Sequence, residues 1–273
     1  MTPDDLLTAA VRAAEAGGRV IVESFGEVRR GDAKAPGDYV TAVDHASEDA
    51  VRESLARDAP GVAFFGEEQG GTRAAVGWIV DPLDGTANFL HAFPAVGVSV
   101  ALVEDGVPTV GVVHAPLLGS TWTARTGAGA WRDGRRLSVS ERAPGEAICG
   151  TGFPFKAKAR LPEYLAMFEA CFRRFEDLRR PGAASLDLAW VAEGVFDGFF
   201  ELGLGVWDVA AGALLIREAG GVVTDWAGGD RAWLESGDIL AGAGGVHAVL
   251  AELAADALRG VGDRARQEAR QEE

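Results

Sequence analysis

Over the first 25 residues apolar side chains return every three or four positions, at Leu6, Leu7, Ala10, Val11, Ala14, Ile21, Val22 and Phe25. That spacing predicts a helix with one inward face. Thr2 followed by Pro3 offers a cap and a first-turn residue for it. Gly17-Gly18 either weakens this helix or marks a close approach by a neighbour. Residues 29–37 are polar and glycine-bearing, which predicts a loop, and they carry Lys34. Residues 39–43 lead into Asp44, placed as the cap of a second helix to about residue 58. Ala46, Ala50, Val51 and Leu55 would face inward.

The period then changes. Residues 62–65 and 78–80 are short apolar runs of the kind that form buried strands. The first ends in Gly66-Glu67-Glu68. The second runs into Asp81-Pro82-Leu83-Asp84-Gly85-Thr86, where Pro82 and Gly85 predict a tight turn and Asp84 a helix cap. Strands at 96–103 and 107–114 flank the hairpin signal Glu104-Asp105-Gly106, and 120–125 and 129–131 continue the meander. Beyond residue 147 strands (148–151, 196–201, 222–224, 239–240) alternate with helices (161–175, 185–193, 208–219, 246–258). Gly194 and Gly220-Gly221 close two of those helices. The first half therefore reads as α+β on an antiparallel sheet and the second as α/β. The expected division is 1–146, 147–263 and a charged tail, 264–273, that frays.

A net charge of −15 argues against a broad electrostatic grip on nucleic acid or an anionic membrane. Cys149 and Cys171 make no disulfide framework and read as buried small hydrophobes. His45, His91, His114 and His247 have no zinc spacing. The acidic start lacks the basic and apolar regions of a signal peptide, and no long apolar run predicts a membrane span, so a cytoplasmic protein is expected.

The acids change the picture more. Glu67, Asp81, Asp84, Asp208 and Asp44 each sit where a strand ends or a helix begins. Taken singly, each is also a plain helix cap or a solvated turn. Together they can converge on one point. Carboxylates alone repel a phosphate, whereas carboxylates holding divalent cations attract one. A site rich in hard oxygen donors and free of His and Cys suggests Mg²⁺ or Mn²⁺ rather than zinc.

Gly66-Glu67-Glu68, Asp81-Pro82-Leu83-Asp84-Gly85-Thr86 and Trp207-Asp208-Val209-Ala210-Ala211-Gly212, with Val40-Thr41-Ala42-Val43-Asp44, resemble the signature motifs of the inositol monophosphatase superfamily, in order and over nearly the whole chain. Thr151-Gly152-Phe153-Pro154-Phe155-Lys156 and the segment from Gly182 to Ala189 resemble its bacterial inositol-1-monophosphatase, SuhB-type, branch. The resemblance implies a layered αβαβα sandwich of the inositol monophosphatase and sugar phosphatase type. It implies that Glu67, Asp81 and the carbonyl of Leu83 hold one Mg²⁺, that Asp81, Asp84 and Asp208 hold a second, and that Glu67 with waters holds a third. Mn²⁺ is an alternative occupant. Thr86 would contact the nucleophilic water with Asp44 orienting it, and Glu68 would stand behind them. The Gly85 and Thr86 amides would bind phosphate oxygens. Glu201, the backbone near Ala184 and Asp84 would meet substrate hydroxyls. Lys34 lies where the family often has a basic residue.

The resemblance further implies hydrolysis of a phosphate monoester, with myo-inositol 1-phosphate the expected substrate. Fructose-1,6-bisphosphate, histidinol phosphate and 3′-phosphoadenosine 5′-phosphate are the alternatives. A homodimer, lithium sensitivity and a second role with transcription machinery are also implied. Arg173, Arg174, Arg179 and Arg180 form a basic cluster, read here as a solvated face paired with Glu169, Glu176 and Asp177.

Overall fold

The computed structural model describes residues 1–35 and 38–271. In chain order its elements are α1 (Pro3–Ser24), β1 (Asp32–Ala35), β2 (Asp38–Val40), α2 (Ala42–Asp58), β3 (Ala63–Gly66), β4 (Gly70–Gly71), β5 (Val76–Asp84), α3 (Thr86–Leu90), β6 (Gly97–Glu104), β7 (Val107–Ala115), β8 (Ser120–Arg125), β9 (Gly129–Arg132) and β10 (Arg135–Arg136). There follow β11 (Ile148–Thr151), α4 (Leu161–Arg174), β12 (Asp177–Arg179), α5 (Ala184–Glu193), β13 (Gly198–Glu201), α6 (Val206–Glu218), β14 (Val222–Thr224), α7 (Trp233–Ser236), β15 (Ile239–Gly242) and α8 (Gly244–Gln271).

Alternation along the strands sorts side chains into layers. Trp78 and Val80 of β5 and Val98, Val100 and Leu102 of β6 pack with Ala10, Ile21, Val51 and Leu55 of α1 and α2. The opposite face, with Ile79, Ala101 and Val113, packs on Leu186, Leu188, Val209 and Leu215 of α5 and α6. Those two helices also meet Phe199 of β13 and Ile239 and Ala241 of β15. On the outer face of that second sheet Phe200 and Leu240 pack on Tyr164, Met167, Val246 and Leu250. The result is an αβαβα sandwich, as the family resemblance implied.

The first sheet has eight strands in the order β10-β9-β8-β7-β6-β5-β3-β4 and the second five in the order β12-β11-β13-β15-β14. The first is antiparallel except for the β3–β5 pair. The Gly17-Gly18 pair marks a close approach: a Cβ at Gly17 would stand 2.6 Å from Ser47 Oγ, and one at Gly18 2.5 Å from the His114 ring.

Several local expectations change. Residues 32–35 are strand rather than loop, because they pair antiparallel with β2; Pro36 and Gly37 of that predicted loop lie outside the described residues. Ala46 is exposed, while Ser47 and Glu48 are buried in its place. Each has partners that make burial affordable: Ser47 Oγ donates to the Pro82 carbonyl at 2.7 Å, and Glu48 accepts from Arg52 at 2.8 Å and from two backbone amides. β12 and α7 were not predicted. Helix α8 continues past residue 258 to Gln271, and Glu272 and Glu273 of the predicted fraying tail lie outside the described residues. Cys149 and Cys171 are free and buried, as expected.

Candidate active site

β3 and β5 run parallel, with Gly66 opposite Val80, so Glu67 and Asp81 leave the sheet at the same edge. The Glu67 amide closes this edge by donating to the Val80 carbonyl at 3.1 Å. Residues 81 and 84 should point to opposite faces of a regular strand, since side chains alternate. They do not, because β5 carries an irregularity. Asp81 pairs with Ser99 and Asp84 with Gly97, so three steps on β5 match two on β6. The extra residue resets the alternation and turns both acids toward the α5–α6 layer. The expected capping role of Asp84 is therefore corrected: β5 runs through Asp84, and Gly85, at φ 90°, stands before α3. A residue with a Cβ would be strained at that angle.

At two further acids the residue that caps the helix stands three positions earlier. Thr41, not Asp44, caps α2, and Asp44 is the third helical residue of a capping box. Gly205, not Asp208, precedes α6, and Asp208 Oδ2 accepts the Gly205 amide at 2.6 Å. Acids are favoured at both positions of such a box, which is why the pattern alone misplaced them.

Glu67, Asp81 and Asp208 each offer one carboxylate oxygen, all within 4.8 Å of one another. Among the described residues this is the one such group, and Asp84 stands beside it, its Oδ2 held by the Ser185 amide (2.7 Å) and hydroxyl (2.6 Å). Asp81 Oδ1 accepts the Leu83 amide at 3.0 Å. Ser99, opposite Asp81, donates its hydroxyl to the Trp207 carbonyl at 2.9 Å and so ties β6 to the residue before Asp208.

Asp44 accepts the Thr86 hydroxyl at 2.8 Å through Oδ1, and the Thr41 amide and hydroxyl through Oδ2 at 2.9 and 2.6 Å. The Leu83 carbonyl lies 3.2 Å from Thr86 Oγ1. Glu68 is paired with Lys34 at 2.5 Å, and Lys34 and Lys156 stand 3.6 and 3.7 Å from Glu67. Leu83, Gly85, Thr86, Ala184 and Glu201 line the same pocket as the acids. All the sequence-predicted site residues thus gather at one place, Asp44 and Glu68 just behind its wall.

Burial is the main cause of a shared upward shift in carboxyl pKa. It pushes Glu67 up to about 8, with Asp208 adding repulsion. It raises Asp84 to about 6, Asp208 again contributing. Asp81 goes well above the carboxylate range, through burial and then through Glu67, Asp84 and Asp208. Glu201 rises to about 8, through burial and Asp208.

Five residues were given no role at the site from the sequence, although Lys156, Ser185 and Asp187 lie in its quoted motifs and Arg180 in its basic cluster. Glu48 accepts the Glu68 and Gln69 amides at 2.9 and 3.1 Å and so fixes the turn that carries Glu67. Ser185 holds Asp84. Lys156, Arg180 and Asp187 line the pocket. Arg180 belongs to the basic cluster, but its guanidinium lies over the Phe153 and Phe155 rings at 5.3 and 5.7 Å. The rest of that cluster partly follows the expected pairing, with Arg173 on Glu169 at 2.7 Å and Arg179 on Asp177.

Comparison with known proteins places this geometry. The model of the inositol monophosphatase family matches residues 2–261. The chain belongs to the inositol monophosphatase family. The inositol-1-monophosphatase of Rhizobium meliloti is 44% identical over 248 residues, 89% of this chain and 93% of that one. The Nus factor SuhB of Pseudomonas aeruginosa is 44% identical over 250 residues, 87% of this chain and 91% of the relative. Among solved structures, the extragenic suppressor protein suhB of Bartonella henselae superposes with a TM-score of 0.86 at 36% identity, covering 91% of this chain and 98% of that one. Membership makes this inositol monophosphatase family chain a phosphatase by class. Among the described residues no helix is long and apolar enough to cross a membrane.

Proposed function

We propose that the protein hydrolyses the phosphate monoester of a polyol, myo-inositol 1-phosphate first among them, with Mg²⁺. The observation that carries this reading is the convergence of Glu67, Asp81 and Asp208, from three separate segments, on one 4.8 Å group in a pocket. The donor set fits a hard divalent ion. Six acids (Glu67, Asp81, Asp84, Asp187, Glu201 and Asp208) line the pocket against Lys156 and Arg180, so an unaided phosphate would be repelled. The donors are carboxylates, with the Leu83 carbonyl beside them, which suits Mg²⁺ or Mn²⁺. Glu67, Asp81, Asp208 and the Leu83 carbonyl would hold the first ion, and Asp84 would join Asp81 and Asp208 for a second. When bound, such ions supply positive charge for the phosphoryl oxygens and lower the pKa of water.

The chain's own residues do the rest. Thr86 donates its proton to Asp44, which leaves the hydroxyl's lone pairs to accept from a water in the pocket and orient it. Asp44 is itself locked by Thr41, so the pair is fixed before substrate arrives. The Gly85 and Thr86 amides serve the phosphate, and Glu201 with the Ala184 backbone serves the alcohol. The test is phosphate release by purified protein from a panel of monoesters with and without Mg²⁺. Release from inositol 1-phosphate that needs the ion supports the reading, and a folded protein inert toward the whole panel overturns it.

A second reading, association with a transcription complex, is favoured by the relatives named Nus factor SuhB. Retention of purified transcription complexes by the immobilised protein, unchanged when Asp208 is replaced, would support it beside catalysis.

A further inference from the structure

Most acids at the site have an evident holder. Asp44 has Thr41 and Thr86, Asp81 has Leu83, Asp84 has Ser185 and Asp208 has Gly205. Asp187 differs. It lies in the first turns of α5, is 1% exposed and lines the pocket, yet its Oδ1 is buried without a hydrogen-bond partner. A buried carboxyl oxygen without a donor is unfavourable, and Ala or Asn at the same place would avoid the penalty of a buried charge. Glu201, Asp84 and Arg180 line the same pocket. Glu201 exerts the strongest charge repulsion on it, and Arg180 the attraction. Arg180 and Asp84 act on Glu201 as well. As lining residues of one pocket, Asp187 and Glu201 make an acidic wall of a cavity that Arg180 also lines. The wall comes close to the chain at Gly152, where a Cβ would overlap the Glu201 carboxylate.

We infer that Asp187 is a specificity-determining residue: with Glu201 it forms a wall that takes hydroxyls of the alcohol half of a polyol monophosphate and turns away a second anionic group. The inference rests on the phosphatase reading and extends it to the choice of substrate. An ionised or shared-proton acid pair accepts hydrogen bonds from hydroxyl donors. With at least one of its acids ionised, the same pair repels the second phosphate of a sugar bisphosphate or a nucleotide bisphosphate. Ser185, two residues earlier on α5, holds Asp84, so the helix that fixes the metal-side acid also sets the distance to this wall.

The experiment compares Asp187→Asn, which keeps the side chain's shape, with the full-length wild type in Mg²⁺. Initial rates are read on inositol 1-phosphate, p-nitrophenyl phosphate and fructose 1,6-bisphosphate. The ratio of kcat/KM for inositol 1-phosphate to that for p-nitrophenyl phosphate should fall about tenfold, the size of one hydrogen bond, and the loss should sit in KM. KM for the bisphosphate should fall. Combined with Glu201→Gln, the second change should add little, because the two acids act as one unit. Asp187→Ser gives the same comparison if the amide disturbs packing. An equal loss on all three esters, or no change in the ratio, overturns the inference while leaving the phosphatase reading standing. A wild type inert toward every ester instead overturns that reading, and the inference with it.

Discussion

Asp208 does two jobs that one substitution separates. Its Oδ2 accepts the Gly205 amide at 2.6 Å, and one of its oxygens belongs to the 4.8 Å group with Glu67 and Asp81. In Asp208→Asn the amide oxygen can still accept from the Gly205 amide, since a neutral amide side chain serves at the third position of a capping box as a carboxylate does. What disappears is one negative charge. At 4.8 Å and an effective dielectric near 20, each fully ionised pair repels by about 3 kcal/mol. Part of that repulsion is already relieved by protonation, because burial pushes Glu67 up to about 8. The expected gain without metal at pH 7.5 is therefore about 1–3 kcal/mol, at roughly 2–4 °C of Tm per kcal/mol for a chain of this size. With Mg²⁺ the order should reverse. A wild type at 1,000-fold its Kd gains about 4.1 kcal/mol from binding, and the variant loses most of that binding gain with its carboxylate. The assay is a pair of thermal melts, in chelator and in Mg²⁺, alongside phosphate release. The variant should melt higher than wild type in chelator and lower in Mg²⁺, with turnover down at least about a hundredfold. The same melting order in both buffers, with near-normal turnover, would refute the reasoning and leave Asp208 a helix cap.

Two further outcomes follow from the packing. Gly66→Ala would drive a Cβ into the buried Glu48 carboxylate, which holds the Glu68 and Gln69 amides. It should cost about 2–3 kcal/mol in urea melts and lower the Mg²⁺ affinity, and an unchanged affinity would show that this clamp does not position Glu67. His247, whose Nε2 lies 2.9 Å from Thr224 Oγ1, has its pKa lowered by burial, so the native state favours the neutral ring. Its contribution is present above the ordinary imidazole value of 6.5 and is lost as pH falls through the lower native value. The stability of His247→Gln relative to wild type should therefore improve from pH 7 to pH 5, and a pH-independent difference would refute it.

The strand ends were legible because apolar runs at 78–80 and 62–65 stop at acids, and the structure brings those ends together in one parallel pair. The two sheets were legible from the hairpin signals between residues 96 and 114 and from the alternation of strands and helices after residue 147. Capping was misread at Asp44 because the first-turn field favours an acid at several positions, and at Asp84 because the strand runs on to that residue before the turn. The irregularity that turns Asp81 and Asp84 to one face leaves no mark in hydropathy. Buried polar helpers were the main loss. Ser47, Glu48, Ser185 and Asp187 look like surface positions in a helical pattern, and only their partners across the fold show otherwise.

The Ser99 hydroxyl on the Trp207 carbonyl has a consequence for motion. Together with the Ser185–Asp84 pair, it rivets the inner helices to the first sheet on both sides of the pocket floor. Parting those layers like the covers of a book would break both rivets and scatter the acids, so a hinged clam-shell cycle does not suit this molecule. What those rivets leave unheld is the lip, where Phe153 and Phe155 stand 41% and 45% exposed and Lys34 reaches in from the small β1–β2 ribbon.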